Sequence, residues 1–117
     1  MAAKRTISRE KIRSMLLLSG ADWHGAGFED FIDMITYSLR YHEISPDRQY
    51  AYLAKMAGVT PVAMKIRIRN QVKRIHRYQI LRGRAVGSSP PSTADFVASI
   101  CTQFDEGARE WVRQKSR

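Results

Sequence analysis

Apolar residues recur along this chain at helical spacing, and no run alternates long enough for a convincing strand. Ile12, Met15 and Leu16 face one way, with Leu18 as a fourth inward candidate, and Gly20 suits the left-handed position that ends a helix. A first helix from a Ser8 cap to about Ser19 is predicted. Ala21 to Gly27 reads as a loop. Phe28, Phe31, Ile32, Ile35 and Leu39 then trace a second helix to about Tyr41, with Glu29, Asp30 and Asp33 near its positive end and Arg40 near the other. Ser45-Pro46 joins a capping hydroxyl to a residue that gives up no needed donor at the first helical position, so a third helix is expected over 46–57. Tyr50, Leu53, Ala54 and Ala57 line one face of it, and Gly58 stops it.

Thr60-Pro61 repeats the start signal after a very tight turn, and nothing breaks the chain from there to about Leu81. Met64, Ile68, Val72 and Ile75 form the inward stripe of this fourth helix, 61–81, while its cations lie largely off the stripe. Gly83 to Pro91, rich in Gly, Ser and Pro, is expected to be a mobile loop. Ser92 with Asp95 resembles a capping box opening a fifth helix that contains Phe96, Val97, Ile100 and Phe104. A last helix, Asp105 to about Gln114, would return Trp111 and Val112 to the core. The expected fold is therefore all-α, about six helices in a single domain over 7–117 that contains a helix-turn-helix, after a fraying tail over 1–6. There is no internal repeat.

Length and composition are those of one globular domain, but the charge is not ordinary: +9, with a pI near 10.2. From Arg48 to Ala94 there is no Asp or Glu, while ten of the twenty Lys and Arg fall there, giving a one-signed field that favours a polyanionic partner. The single cysteine, Cys101, rules out an intramolecular disulfide and a Cys-based metal cluster, and reads as a small buried apolar residue. No apolar run reaches the roughly 18 residues of a membrane span, and none has the context of a signal peptide. A cytoplasmic protein with no membrane partner is expected.

The function-bearing segment is Leu53-Ala54-Lys55-Met56-Ala57-Gly58-Val59-Thr60-Pro61-Val62-Ala63-Met64. Its spacing is that of a helix-turn-helix. Ala54 is expected to be small because the second helix crosses over it, and Gly58 because a side chain would clash there. Val59 would plug the turn and Met64 pack the second helix on the first. In such a unit the first turns of the second helix face the major groove. That helix carries Lys65, Arg67, Arg69, Lys73, Arg74 and Arg77 with no acid, where a merely solvated face mixes signs.

The chain also resembles the C-terminal effector domain of stage-zero sporulation protein A. The resemblance rests on Leu16-Leu17-Leu18-Ser19-Gly20, the Gly27-Phe28 helix start and the Leu53-Ala54-Lys55 to Thr60-Pro61 turn. It continues through the spacing of Met64, Ile68, Arg69 and Val72 to Pro91-Ser92-Thr93-Ala94-Asp95-Phe96. It implies a six-helix transcription factor domain that binds double-stranded DNA through the helix after the turn, as a homodimer or in tandem copies. In the family a phosphorylatable receiver domain precedes this one, and the expectation here is an effector without it. A second departure is the front of the recognition helix, mostly polar or charged in the family and here Val62, Ala63, Lys65 and Ile66, so a different base preference is expected. All four are base-facing candidates: Val62 and Ala63 could meet thymine methyls and Lys65 a guanine. Thr60, Arg67, Arg69, Asn70, Lys73, Arg74 and Arg77 are the phosphate candidates, Arg69 and Asn70 by match to family positions.

Other readings stay open. The apolar Val62, Ala63 and Ile66 suit a protein contact, so a protein-interaction module on the same fold is the alternative, followed by a structured-RNA binder. An enzyme comes last. Asp22, His24 and His42 lack metal-ligand spacing or a paired carboxylate, and the glycines lack a phosphate-loop context, so neither metal nor cofactor is expected. Trp23 and His24 are expected to close a loop over the core, and His76 to face solvent or phosphate.

Overall fold

The computed structural model describes residues 9–41, 46–84 and 89–104. They form five helices and, among the described residues, no strand: α1 (Arg9–Leu18), α2 (Phe28–Tyr41), α3 (Pro46–Ala57), α4 (Pro61–Leu81) and α5 (Thr93–Phe104). The helix beginning at Asp105, the Ser8 and Ser45 caps and His42 lie outside the described residues.

The helix α2 is the hub. Phe28, Phe31, Ile32, Met34, Ile35, Ser38 and Leu39 are all buried, more than one face of an amphipathic helix supplies, because α1, α3, α4 and α5 all pack against it. The core adds Ile12 and Leu16 from α1, Leu53 and Ala54 from α3, Met64, Ile68, Val72 and Ile75 from α4, and Val97, Ile100 and Cys101 from α5. Phe31 and Phe96 meet with ring centroids 5.5 Å apart. Two buried polar side chains pair across helices: Gln49 donates to Ser38 Oγ at 3.3 Å, and Ser38 donates on to the Met34 carbonyl at 3.0 Å, tying α3 to α2.

Local signals set the helix ends. Ser92 Oγ accepts from the Asp95 amide at 3.1 Å at the start of α5. At the end of α3 the Val59 amide bonds to the Ala54 carbonyl at 3.0 Å and the Gly58 amide to Lys55 at 3.4 Å, the two bonds of a Schellman cap, with Gly58 at φ +73°. A Cβ on Gly58 would meet nothing within 4 Å. The expected clash is thus corrected: backbone conformation, not space, demands glycine there.

Two inward assignments are also corrected. Leu18 is exposed, because it stands about 200° around α1 from Leu16, which α2 covers. Ala57 is exposed as well; the chain leaves α3 at that point, beyond the neighbours that cover Ala54.

Candidate nucleic-acid interface

The short link Gly58-Val59-Thr60 joins α3 to α4, and these two helices share the most extensive contact in the fold. Thr60 sits in extended conformation (φ −78°, ψ 155°), its Oγ1 accepts from the Ala63 amide at 3.1 Å, and Pro61 holds the first helical position. Ala54 and Met64 are buried where the helices meet, and Val59 is half-buried against the core. The start of α4 is therefore fixed by a cap, a proline and a packed turn, and what it displays is displayed rigidly.

On α4 the buried stripe Met64, Ile68, Gln71, Val72 and Ile75 leaves an opposite face of Val62, Ile66, Asn70, Lys73 and Arg77, spaced four, four, three and four. All five are exposed, as are Lys65 and Arg74 beside them; Ala63 and Arg67 are half-buried at its margin. The face is graded. Its first two turns are apolar, with Val62 68% and Ile66 54% exposed, and its later turns are cationic. No acid occurs anywhere in the 21 residues of α4.

Two of the phosphate candidates have further duties inside the fold. Arg69 is half-buried and its guanidinium donates to the Pro91 carbonyl, bracing the segment that leads into α5. Arg67 packs its Cβ and backbone against Gly27, where an added Cβ would come within 2.8 Å, and lies within electrostatic reach of Asp30. His76 is half-buried, and its Nε2 is shielded from solvent without a hydrogen-bond partner, so the solvent-facing expectation for it is corrected.

The loop between α1 and α2 is anchored along α4, a use that sequence reasoning missed. Gln71 accepts from the Asp22 amide at 3.0 Å and donates to the Asp22 carbonyl at 2.9 Å. Gln79 donates to the Ser19 carbonyl at 2.9 Å. Gly20 presses on Tyr78, and a Cβ on Gly25 would come within 2.9 Å of the Gln71 amide. Residues 19–27 thus run as a strap along one flank of α4, from Gln79 back to Arg67, about 18 Å at 1.5 Å per residue. The available signal was Gln71, a polar residue set on an otherwise apolar stripe.

Between strap and helix lies a cleft of about 390 Å³, lined by Asp22, Gly25 and Ala26 on one wall and by Arg67, Asn70, Lys73, Arg74 and Arg77 on the other. Trp23 and His24 were expected to close over the core; instead Trp23 is 61% exposed, its ring 3.7 Å from that of His24. The physical reason is that Ala21 fills the inward place and Gln71 holds the backbone of Asp22, which turns the next two side chains outward.

Elsewhere, a second recess of about 610 Å³ between α2 and α3 is lined by Tyr37, Tyr41, Tyr52 and Met56, with charges of both signs, Asp30 and Asp33 against Arg40 and Arg48, unlike the cationic wall beside the strap. Among the described residues no group of three or more His, Cys, Asp or Glu could hold a metal ion, and no helix is long and apolar enough to cross a membrane. Cys101 is buried, at 1% exposure. Comparison of the chain with protein-family models, with curated proteins and with solved structures finds no match.

Proposed function

We propose that this protein is a DNA-binding transcriptional regulator that lays the front of α4 in the major groove, as a helix-turn-helix formed by α3 and α4. The observation that carries the reading is the exposed face of α4: rigidly capped at its start, free of acid along its length, and passing from Val62, Lys65 and Ile66 to Asn70, Lys73, Arg74 and Arg77. Small apolar groups and a lysine suit base edges, and later cations suit the phosphates beside them. The resemblance to the sporulation effector domain supports the same orientation and a tandem or homodimeric mode on DNA.

Arg69, engaged with Pro91, is assigned to bracing, which narrows the phosphate set to Thr60, Arg67, Asn70, Lys73, Arg74 and Arg77. The four cations of that set, each meeting a phosphate, would give a log–log salt slope of about −3.6. The test is selection of bound fragments from genomic DNA, followed by titration of a selected and a random duplex at two salt concentrations. Lys65→Ala is expected to lose about 1–3 kcal/mol on the selected duplex and little on the random one. No binding of any fragment at low salt, or a slope near zero, overturns the reading.

The exposure of Val62 and Ile66 favours one second reading, a protein-interaction module using the same helix front. If Val62→Asp and Ile66→Asp leave duplex binding unchanged yet abolish binding of a defined partner protein, that reading replaces the first.

A further inference from the structure

The α4 face accounts for the exposed cations but leaves the strap, its cleft and its bare tryptophan without a use. A major groove about 12 Å wide is nearly filled by a helix 10–12 Å across, so a helix lying in it has a phosphate chain running along each flank. The strap occupies one of those flanks.

Resting on the duplex-binding reading of α4, we propose that the strap is a second DNA contact: a backbone phosphate seats in the cleft against Lys73, Arg74 and Arg77, and Trp23, backed by His24, packs on the adjoining sugar. The cleft wall has four cations, with Arg67 the fourth, against one carboxylate. That carboxylate faces the loop itself: Asp22 Oδ1 accepts from the His24 amide at 3.1 Å, and its other oxygen lies against Gly25. Trp23 and His24 fall between Asp22 and Gly25, which line the cleft, and both are exposed on the same strap with their rings outside that lining. A broad apolar ring held mostly in water is unfavourable alone and becomes favourable when a sugar or base covers it. The strap is held for this task before any partner arrives. Gln71 grips Asp22 from both sides, and Gly25 and Gly27 leave no room for a Cβ, so little ordering is left for binding to impose.

The test uses the full chain and a short random-sequence duplex at low salt. Tryptophan emission is followed in the wild type and in Trp23→Phe, whose difference isolates Trp23, while anisotropy of labelled duplex reports binding. Trp23 emission should change in step with binding. Trp23→Ala should weaken duplex binding about fivefold or more, at an unchanged melting temperature and an unchanged salt slope, because an uncharged contact is lost. Arg74→Ala should instead lower the salt slope by about one. Duplex binding with Trp23 emission flat and Trp23→Ala equal to wild type overturns the strap contact while leaving the reading of α4 intact. Absence of any duplex binding overturns both. A larger emission change with inorganic tripolyphosphate than with duplex, at equal phosphate concentration, would assign the cleft to a free polyphosphate and overturn the proposal as well.

Discussion

The α1–α2 surface and the α4 surface both bristle with charge, and they treat it in opposite ways. Across α1 and α2 the fold satisfies its own charges. Arg9 pairs with Glu29 at 3.0 Å and with Asp33, and Arg13 pairs with Glu29 at 2.8 Å and with Glu10. On α4, Lys65, Lys73, Arg74 and Arg77 have no acid on their own helix to meet, and among the described residues no ion pair joins them to another. Cations crowded on one side repel one another, and a fold that keeps them uncompensated is suited to a partner that brings the opposite charge. The first surface is closed within the molecule, and the second is open.

The sharpest way to break this comparison is to strip each surface in turn. Removing Lys73, Arg74 and Arg77 together is expected to shrink the salt slope of duplex binding from about −3.6 to about −0.9, at about −0.9 per contact. Arg9→Ala with Arg13→Ala should leave the slope unchanged. Equal losses from the two sets, measured by anisotropy across a salt series, would mean that net charge alone drives binding and that the distinction between the surfaces is empty.

A second expectation separates what holds α4 from what α4 displays. Ala54 is 1% exposed beneath α4, so Ala54→Val should cost about 1–3 kcal/mol of stability by overpacking. Gly58→Ala should cost about 1–2 kcal/mol through its left-handed backbone, and Gly58→Asn less, since asparagine tolerates that conformation. Denaturant melts check the order; a Gly58→Ala protein as stable as wild type would remove the cap from the account.

Effects on the closed surface should be smaller. Glu29→Ala removes pairs that are largely solvent-exposed, and a change within about 1 kcal/mol is expected in the same melts. Asp30 is a subtler case. Burial first, then Asp33 and Glu29, raise its carboxyl above the ordinary carboxylate value against the pull of Arg67. The folded state therefore binds that proton more tightly than the unfolded chain does, and the charge costs stability once pH rises through the raised value. Asp30→Asn should give a small rise in melting temperature at neutral pH that fades as pH falls toward the ordinary carboxylate range. A constant gain across that range would place its origin outside the titration.

Much of this architecture could be read without coordinates, because helix ends are written in local chemistry. Thr60-Pro61, Gly58, Ser92 and Gly20 act within four or five residues of themselves, and the predicted spans of α2, α3 and α4 coincide with the observed ones. The inward stripe of α4 and the exposed, acid-free face opposite it follow from the same periodicity.

What only the tertiary structure decided depends on residues far apart in the chain. Gln71 meets Asp22 across 49 positions, Arg69 meets Pro91 across 22 and Gln79 meets Ser19 across 60. No local pattern encodes such partners, since each depends on how the helices stack before the side chains can meet. Hence Trp23 is exposed where a loop-closing role was expected, Arg69 is drawn from the phosphate set into a brace, and Gly58 has open space around it. The sequence determined which elements form and which face of α4 is cationic; packing determined that a strap lies along that helix, because only the assembled core brings residues 19–27 to its flank.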